Sequence, residues 1–271
     1  MTTNHSLNSP VGVFDSGLGG LTVLKSLEKI LPQESFIYFG DTAHVPYGTK
    51  SAETVTQYSE KILDFFLRYK TKAVVIACNT ASAVAFRHLQ NAYDIPLFDV
   101  VSPSVEYSIS ITKTRKIGVI GTYSTIHSRA YSELFNRQGG DFKIFEIPCP
   151  LFVPLIEEGW ADSFVAKEIT EIYLQDLITH NIDTLILGCT HYPIMADTIQ
   201  SVISDNIQLV YSGETLGYKL LEYLQNNNCE NSSGLPQSVI YFVSDLPQKF
   251  DELGSSFLGR KLNNVKHISL L

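Results

Sequence analysis

Lys72–Ser82 reads KAVVIACNTAS and Asp183–Pro193 reads DTLILGCTHYP. The two stretches share one grammar. Each is an apolar run of strand length, then a small residue, a cysteine, and a threonine one or two positions later. Each is followed by a predicted helix. A buried strand that hands over to a helix is half of a βαβ unit, which needs a parallel neighbour. Outward from these two stretches the alternation continues. Val11–Phe14, Ser35–Phe39, Lys116–Ile120 and Phe142–Ile147 read as further strands, as do the segments Ala73–Ala77 and Thr184–Leu187 inside the quoted stretches. Pro96–Val100 begins another extended stretch. Helices are predicted over Gly19–Ile30, Ser51–Tyr69, from the first cysteine through Gln90, over Ser124–Arg137, over about Ser163–His180, and after Pro193. In Ser51–Tyr69 the apolar residues Val55, Tyr58, Ile62, Phe65, Phe66 and Tyr69 recur at steps of three and four. Two shorter strand–helix units, around Ile207–Leu224 and Val239–Ser269, finish the chain. The expected fold is α/β, with two related lobes, each a mostly parallel sheet flanked by helices. In open α/β sheets ligands bind at the carboxyl ends of the strands. Both cysteines stand there, so the site is expected between the lobes.

Composition agrees with such a fold. The chain has 271 residues, 44% hydrophobic and 18% charged, which is enough apolar material for a sizeable core. A net charge of −8 and the lack of a Lys/Arg cluster argue against a nucleic-acid partner. The opening MTTNHSLNSP lacks the pattern of a signal peptide, and no apolar run reaches the roughly 18 residues of a membrane helix. A cytoplasmic protein without membrane contact is expected. Cys78, Cys149, Cys189 and Cys229 show no C-x-x-C pairing and should be free thiols.

Cys78 and Cys189 stand where strand meets helix. The free N–H groups of a helix start favour thiolate, which predicts lowered pKa values at both. Asn79, Thr80 and Ser82 follow the first cysteine; Thr190, His191 and Tyr192 follow the second. Short polar side chains at a helix start can cradle a carboxylate. Capping accounts for one threonine but not for Asn79 or His191. DSGLGG (Asp15–Gly20) could be a dinucleotide loop, with Asp41 near the distance of a ribose-binding acid. Yet Thr22 stands where the third glycine belongs, and Asp15 would put negative charge beside a pyrophosphate. A turn that brings Asp15 and Ser16 to the sheet edge fits better. In GDTAHVPYG (Gly40–Gly48), Tyr47 could close over a small ligand. Glu157 either faces the site or lies on a solvated helix face. A zinc site of Cys189, His191, Cys78 and Asp15 lacks the tight local pairing usual for zinc. A Cys–His hydrolase needs one cysteine only, and a pyridoxal-phosphate enzyme needs a lysine that neither turn contains. No metal and no cofactor is expected. Stereoinversion at a carbon acid does use two matched thiols: one removes a proton from one face and the other returns one to the opposite face.

With these motifs assembled, FDSGLGGLTV, GDTAHVPYG, CNTAS, CPLFVPLIE and GCTHYP, in that order across residues 14–193, resemble the bacterial glutamate racemases. Aspartate and hydantoin racemases share the two-cysteine design and remain the alternatives, along with a non-catalytic binding module. The resemblance implies one lobe from residues 1–101 plus 212–271 and a second from 102–211. It implies Cys78 and Cys189 as acid/base residues assisted by Asp15, Glu157 and His191. It implies substrate contacts at Asp15, Ser16, Tyr47, Gly48, Asn79, Thr80, Thr190 and His191. The partner expected is glutamate, with a homodimer the one macromolecular contact left open; the product would supply peptidoglycan synthesis.

Overall fold

In a computed structural model, which describes residues 7–270, the strands form two sheets and every pairing among them is parallel. The strands are β1 (Val11–Asp15), β2 (Phe36–Gly40), β3 (Ala73–Ile76), β4 (Leu97–Asp99), β5 (Lys116–Gly121), β6 (Lys143–Pro148), β7 (Thr184–Gly188), β8 (Gln208–Tyr211), β9 (Val239–Val243) and β10 (Val265–His267). One sheet has the order β10-β9-β2-β1-β3-β4, and the other β6-β5-β7-β8. The orders β2-β1-β3-β4 and β6-β5-β7-β8 are the same arrangement twice, so the likeness of the two cysteine stretches extends to topology. In each sheet the chain reverses its direction of growth beside one strand, β1 or β5. The crevice at such a switch point is where side chains from two loops can converge.

The central strands are buried on both faces, and successive residues point to opposite sides. Val11 and Val13 face a core shared with the helices Gly20–Ile30, Ser212–Asn226 and Pro247–Leu258. Phe14, Val74 and Ile76 face the opposite core under the helices Ala52–Arg68 and Asn79–Ala92. The smaller sheet is likewise covered on both faces. Helix starts follow local chemistry. Ser51 and Ser163 each accept a hydrogen bond from the backbone N–H three residues on, capping Ala52–Arg68 and Phe164–Thr179.

The structure departs from the sequence reading at four places. Val101–Ile111 is a helix that the reading passed over. Asp99 Oδ1 starts it by accepting from the N–H groups of Val101 and Ser102, both at 2.7 Å. Ser124–Arg137 is not one helix but two, Tyr123–His127 and Ala130–Gln138. Arg129 breaks them with a left-handed φ of 60°, and its guanidinium reaches the buried Glu146 at 3.0 Å. After Cys189 the chain enters a 3₁₀ turn, Tyr192–Met195, before the helix Ala196–Val202 begins. Finally, Val265–His267 adds an edge strand on β9.

Candidate active site

A cleft of about 420 Å³ lies where the carboxyl ends of the two sheets face each other. Ser16 and Gly17 after β1, the 45–49 loop after β2, and Cys78–Thr80 after β3 line it from the larger sheet. Thr122 and Tyr123 after β5, Pro150, Val153, Pro154, Glu157 and Glu158 after β6, and Cys189–His191 after β7 line it from the smaller one. Its size suits a small molecule. No lysine or arginine is among the lining residues. An anion there would be held by hydroxyls, backbone N–H groups and His191.

Cys78 sits at the start of the helix Asn79–Ala92, 5% exposed, with its sulfur 3.8 Å from Ser16 Oγ. The expected drop in its pKa does not occur. Burial, and then the charge of Asp15, push the thiol up to about 12, against the lowering effect of the Ala81 N–H and Ser16. Desolvation of the thiolate outweighs the helix start. Cys78 therefore carries its proton at neutral pH.

Cys189 has different company. Its sulfur lies 3.9 Å from His191 Nδ1, and His191 Nε2 lies 3.0 Å from Glu157 Oε1. A 3₁₀ turn follows it, so the α-helix start expected there is absent. Burial works against a charged His191, yet its hydrogen bonds to Cys189 and Glu157 prevail and hold its pKa up at about 10. Glu157 is correspondingly held below the usual carboxylate range, first by the hydrogen bond from His191, with burial opposing. Glu157 thus faces the cleft and is paired; Glu158 also lines the cleft. A histidine whose folded pKa is raised contributes stability that is complete below its free value of 6.5 and is lost as pH rises through about 10. Glu157→Gln removes the charge of one of the two hydrogen-bond partners that raise it, with Asp15 also raising it through its charge. The midpoint of the His191 ring C–H resonances, followed by NMR, should then move from about 10 to lower pH. An unmoved midpoint would show that Glu157 does not hold this proton.

Asp15 is fully buried behind the cleft wall rather than on it. Its carboxylate accepts from Gly17 N–H at 2.9 Å and from Thr190 Oγ1 at 3.3 Å, so it links the turn after β1 to the turn after β7. Burial raises its pKa, with the nearby charge of His191 opposing. The Gly17 amide, which a dinucleotide loop would offer to a phosphate, is thus engaged by Asp15. Asp41 is engaged too, by Tyr47 Oη at 2.6 Å, Ser244 Oγ at 2.7 Å and His44. Tyr47 is only 1% exposed, so it is a fixed part of the wall and not a side chain free to close over a ligand. A Cβ on Gly48 would come within 2.7 Å of Thr122, which marks a close approach of the two lobes. Among the described residues no three His, Cys, Asp or Glu side chains converge as a metal-binding group.

Gly19 is packed against the second cysteine turn. A Cβ there would overlap Thr190 Oγ1 and His191 Nδ1. Thr22, one turn further along the same helix, donates its hydroxyl to the Thr190 carbonyl at 2.7 Å. Thr80 Oγ1 lies 2.9 Å from Thr122 Oγ1 and 3.1 Å from Thr125 Oγ1. Thr122 was missed by the sequence reading. A signal for it exists: β5 occupies in its sheet the place of β1, so Thr122 corresponds to Ser16.

A sequence profile described as Asp/Glu/Hydantoin racemase matches residues 11–216. A protein named glutamate racemase from Geobacter metallireducens is 45% identical over 260 residues, covering 96% of each chain. One from Syntrophus aciditrophicus is 42% identical over 270 residues and covers 100% of each. The crystal structure of glutamate racemase from Francisella tularensis in complex with D-glutamate superposes with a TM-score of 0.92 at 36% identity, covering 98% of this chain and 99% of that one.

Proposed function

Because the chain belongs to the Asp/Glu/hydantoin racemase family, and is therefore an isomerase of the racemase class, we propose that it interconverts L- and D-glutamate by proton transfer between Cα and two cysteines. The observation that carries this reading is the presence of Cys78 and Cys189 on one cleft, each contributed by a different sheet and each with its own polar neighbour. In one direction the Cys189 sulfur, as thiolate, accepts the α-proton while His191 remains protonated beside it. The electron pair left at Cα is delocalised into the α-carboxylate, which the hydroxyls and N–H groups of the cleft stabilise. The Cys78 thiol then gives its proton to the opposite face. The reverse direction starts from a Cys78 thiolate, whose charge the buried Asp15 and Ser16 govern. Asp15, Glu157 and His191 assist these transfers. Ser16, Tyr47, Gly48, Asn79, Thr80, Thr190 and His191 surround the substrate, and Asp15 stands behind them, accepting from the Thr190 hydroxyl. The same reading divides the chain into a lobe of residues 1–101 with 212–271 and a lobe of residues 102–211. It assigns the product to peptidoglycan synthesis in the cytoplasm. No helix is long and apolar enough to cross a membrane among the described residues.

The test is turnover in heavy water without added metal or cofactor. Early product from either enantiomer should carry deuterium at Cα while the remaining substrate carries little, as read by mass spectrometry after chiral separation. Aspartate and a hydantoin run in parallel should turn over far more slowly than glutamate. Activity that appears only with an added cofactor, or product that keeps its original hydrogen, would overturn the mechanism.

A further inference from the structure

Both ring nitrogens of His191 have partners, Nδ1 the Cys189 sulfur at 3.9 Å and Nε2 the Glu157 carboxylate at 3.0 Å. A half-turn of the ring about its Cβ–Cγ bond would put carbon atoms in both places. Neither partner is a steady anchor. The Glu157 side chain is 36% exposed, and under the proposed reaction the Cys189 sulfur alternates between thiolate and thiol. Packing has to hold the ring through that change. Gly19 abuts its Nδ1–Cε1 edge, so closely that a Cβ there would come within 2.4 Å of Nδ1. The other ring contact is Phe257. The two rings meet at 88° with their centroids 5.9 Å apart, the geometry of an edge-to-face pair.

Phe257 comes from the helix Pro247–Leu258, which belongs with the larger sheet. Phe250, Gly254 and Leu258 recur every four residues and bury one face of this helix. Phe257 projects roughly 100° round from Leu258, and it packs against the cores of both sheets. The helix lies beyond residues 11–216, the segment that the family profile matches. The titratable groups that act on His191 are Cys189, Glu157 and Asp15; Lys249, near the start of the same helix, acts on Glu157.

We infer that Phe257 is a positioning residue that holds the His191 ring with Nδ1 toward Cys189 and Nε2 toward Glu157. Its effect on rate rests on the two-cysteine reading above; its effect on the ring does not. Because the helix packs on one sheet and His191 follows a strand of the other, the surroundings of Cys189 are complete only when the two sheets are packed together.

The test uses the full chain with nitrogen-15 in its histidines. His191 keeps both N–H protons at neutral pH, since its pKa is held at about 10. Buried and hydrogen-bonded, they should give two downfield proton resonances that are absent from His191→Asn. In Phe257→Leu, which keeps apolar bulk and loses the ring, both should broaden through exchange with water. The kcat for glutamate should fall about tenfold, the upper worth of one aromatic pair, with KM within about twofold. Phe257→Tyr keeps the ring and should keep the resonances and the rate. A fall in kcat with both resonances intact would make Phe257 a packing residue only and overturn the inference. Resonances missing from wild type, an unaltered Phe257→Leu, or a Phe257→Tyr that behaves like it would do the same. If Phe257→Leu does not fold, Phe257→Met replaces it, and failure of both overturns the inference. A wild-type protein that does not racemise glutamate sinks the functional reading, while the resonances still decide this one.

Discussion

Cys78→Ser and Cys189→Ser should each lower kcat for glutamate racemisation by roughly 10²–10⁴-fold, the usual worth of a positioned acid or base. Serine keeps the size and the polar contact of the side chain, but its hydroxyl is a far weaker acid than a thiol. The two variants should differ in what survives. Cys78→Ser keeps Cys189 with its His191–Glu157 pair, and Cys189→Ser keeps Cys78 beside Ser16. Each remaining thiol should exchange the α-proton of one enantiomer with solvent, the two serving opposite hands. Deuterium uptake into unreacted L- and D-glutamate measures this directly. Near wild-type racemisation by either variant would mean that the reaction does not need two thiols. Cys149→Ser and Cys229→Ser provide the comparison, since neither residue lines the cleft.

Gly19→Ala has the second largest expected effect, although the residue carries no functional group. Its φ of −57° is open to any residue, so space alone demands glycine here. The added methyl would fall on Thr190 Oγ1 and His191 Nδ1. These atoms belong to the turn that carries Cys189, and Thr190 also holds Asp15. Overpacking of this kind destabilises by about 1–3 kcal/mol. A displacement near 1 Å at reacting groups lowers a rate by about 10²-fold. Thermal unfolding and kcat measured on one preparation should show a moderate loss in the first and a large loss in the second. A variant with unaltered kcat would mean that the two turns separate without consequence for the chemistry.

The parallel sheets were legible because their strands are short apolar runs separated by helical periods, a pattern that local composition states directly. Both cysteines, His191 and Asn79 were legible as well, since each stands at a strand end. What escaped depends on contacts between distant residues. VSPSVEYSISI, the sequence of the helix Val101–Ile111, contains a proline, four serines and β-branched residues, and intrinsic propensity argues against a helix. Capping by Asp99 and burial of Val101 and Val105 override it. The break at Arg129 comes with an ion pair to Glu146, a residue on another element. The pKa of Cys78 was misjudged for a related reason. A helix start is visible in sequence, but the depth of burial and the charge of Asp15 are properties of the assembled cleft. The triangle of Thr80, Thr122 and Thr125 likewise joins two lobes and has no local signature.

The strand order of the larger sheet bears on how the chain is made. β9 pairs with β2 along its whole length, from Phe36 beside Val239 to Gly40 beside Val243. Everything in the smaller sheet is synthesised between those two partners. While the ribosome works through it, FIYFG of β2 has β1 on one side and an open apolar edge on the other. At common elongation rates that interval lasts on the order of ten seconds or more. An unpaired edge of this composition is a template for joining other chains. The first lobe thus passes each round of synthesis incomplete, and the yield of native protein depends on how well nascent chains are kept apart until residues 239–243 emerge to close the sheet.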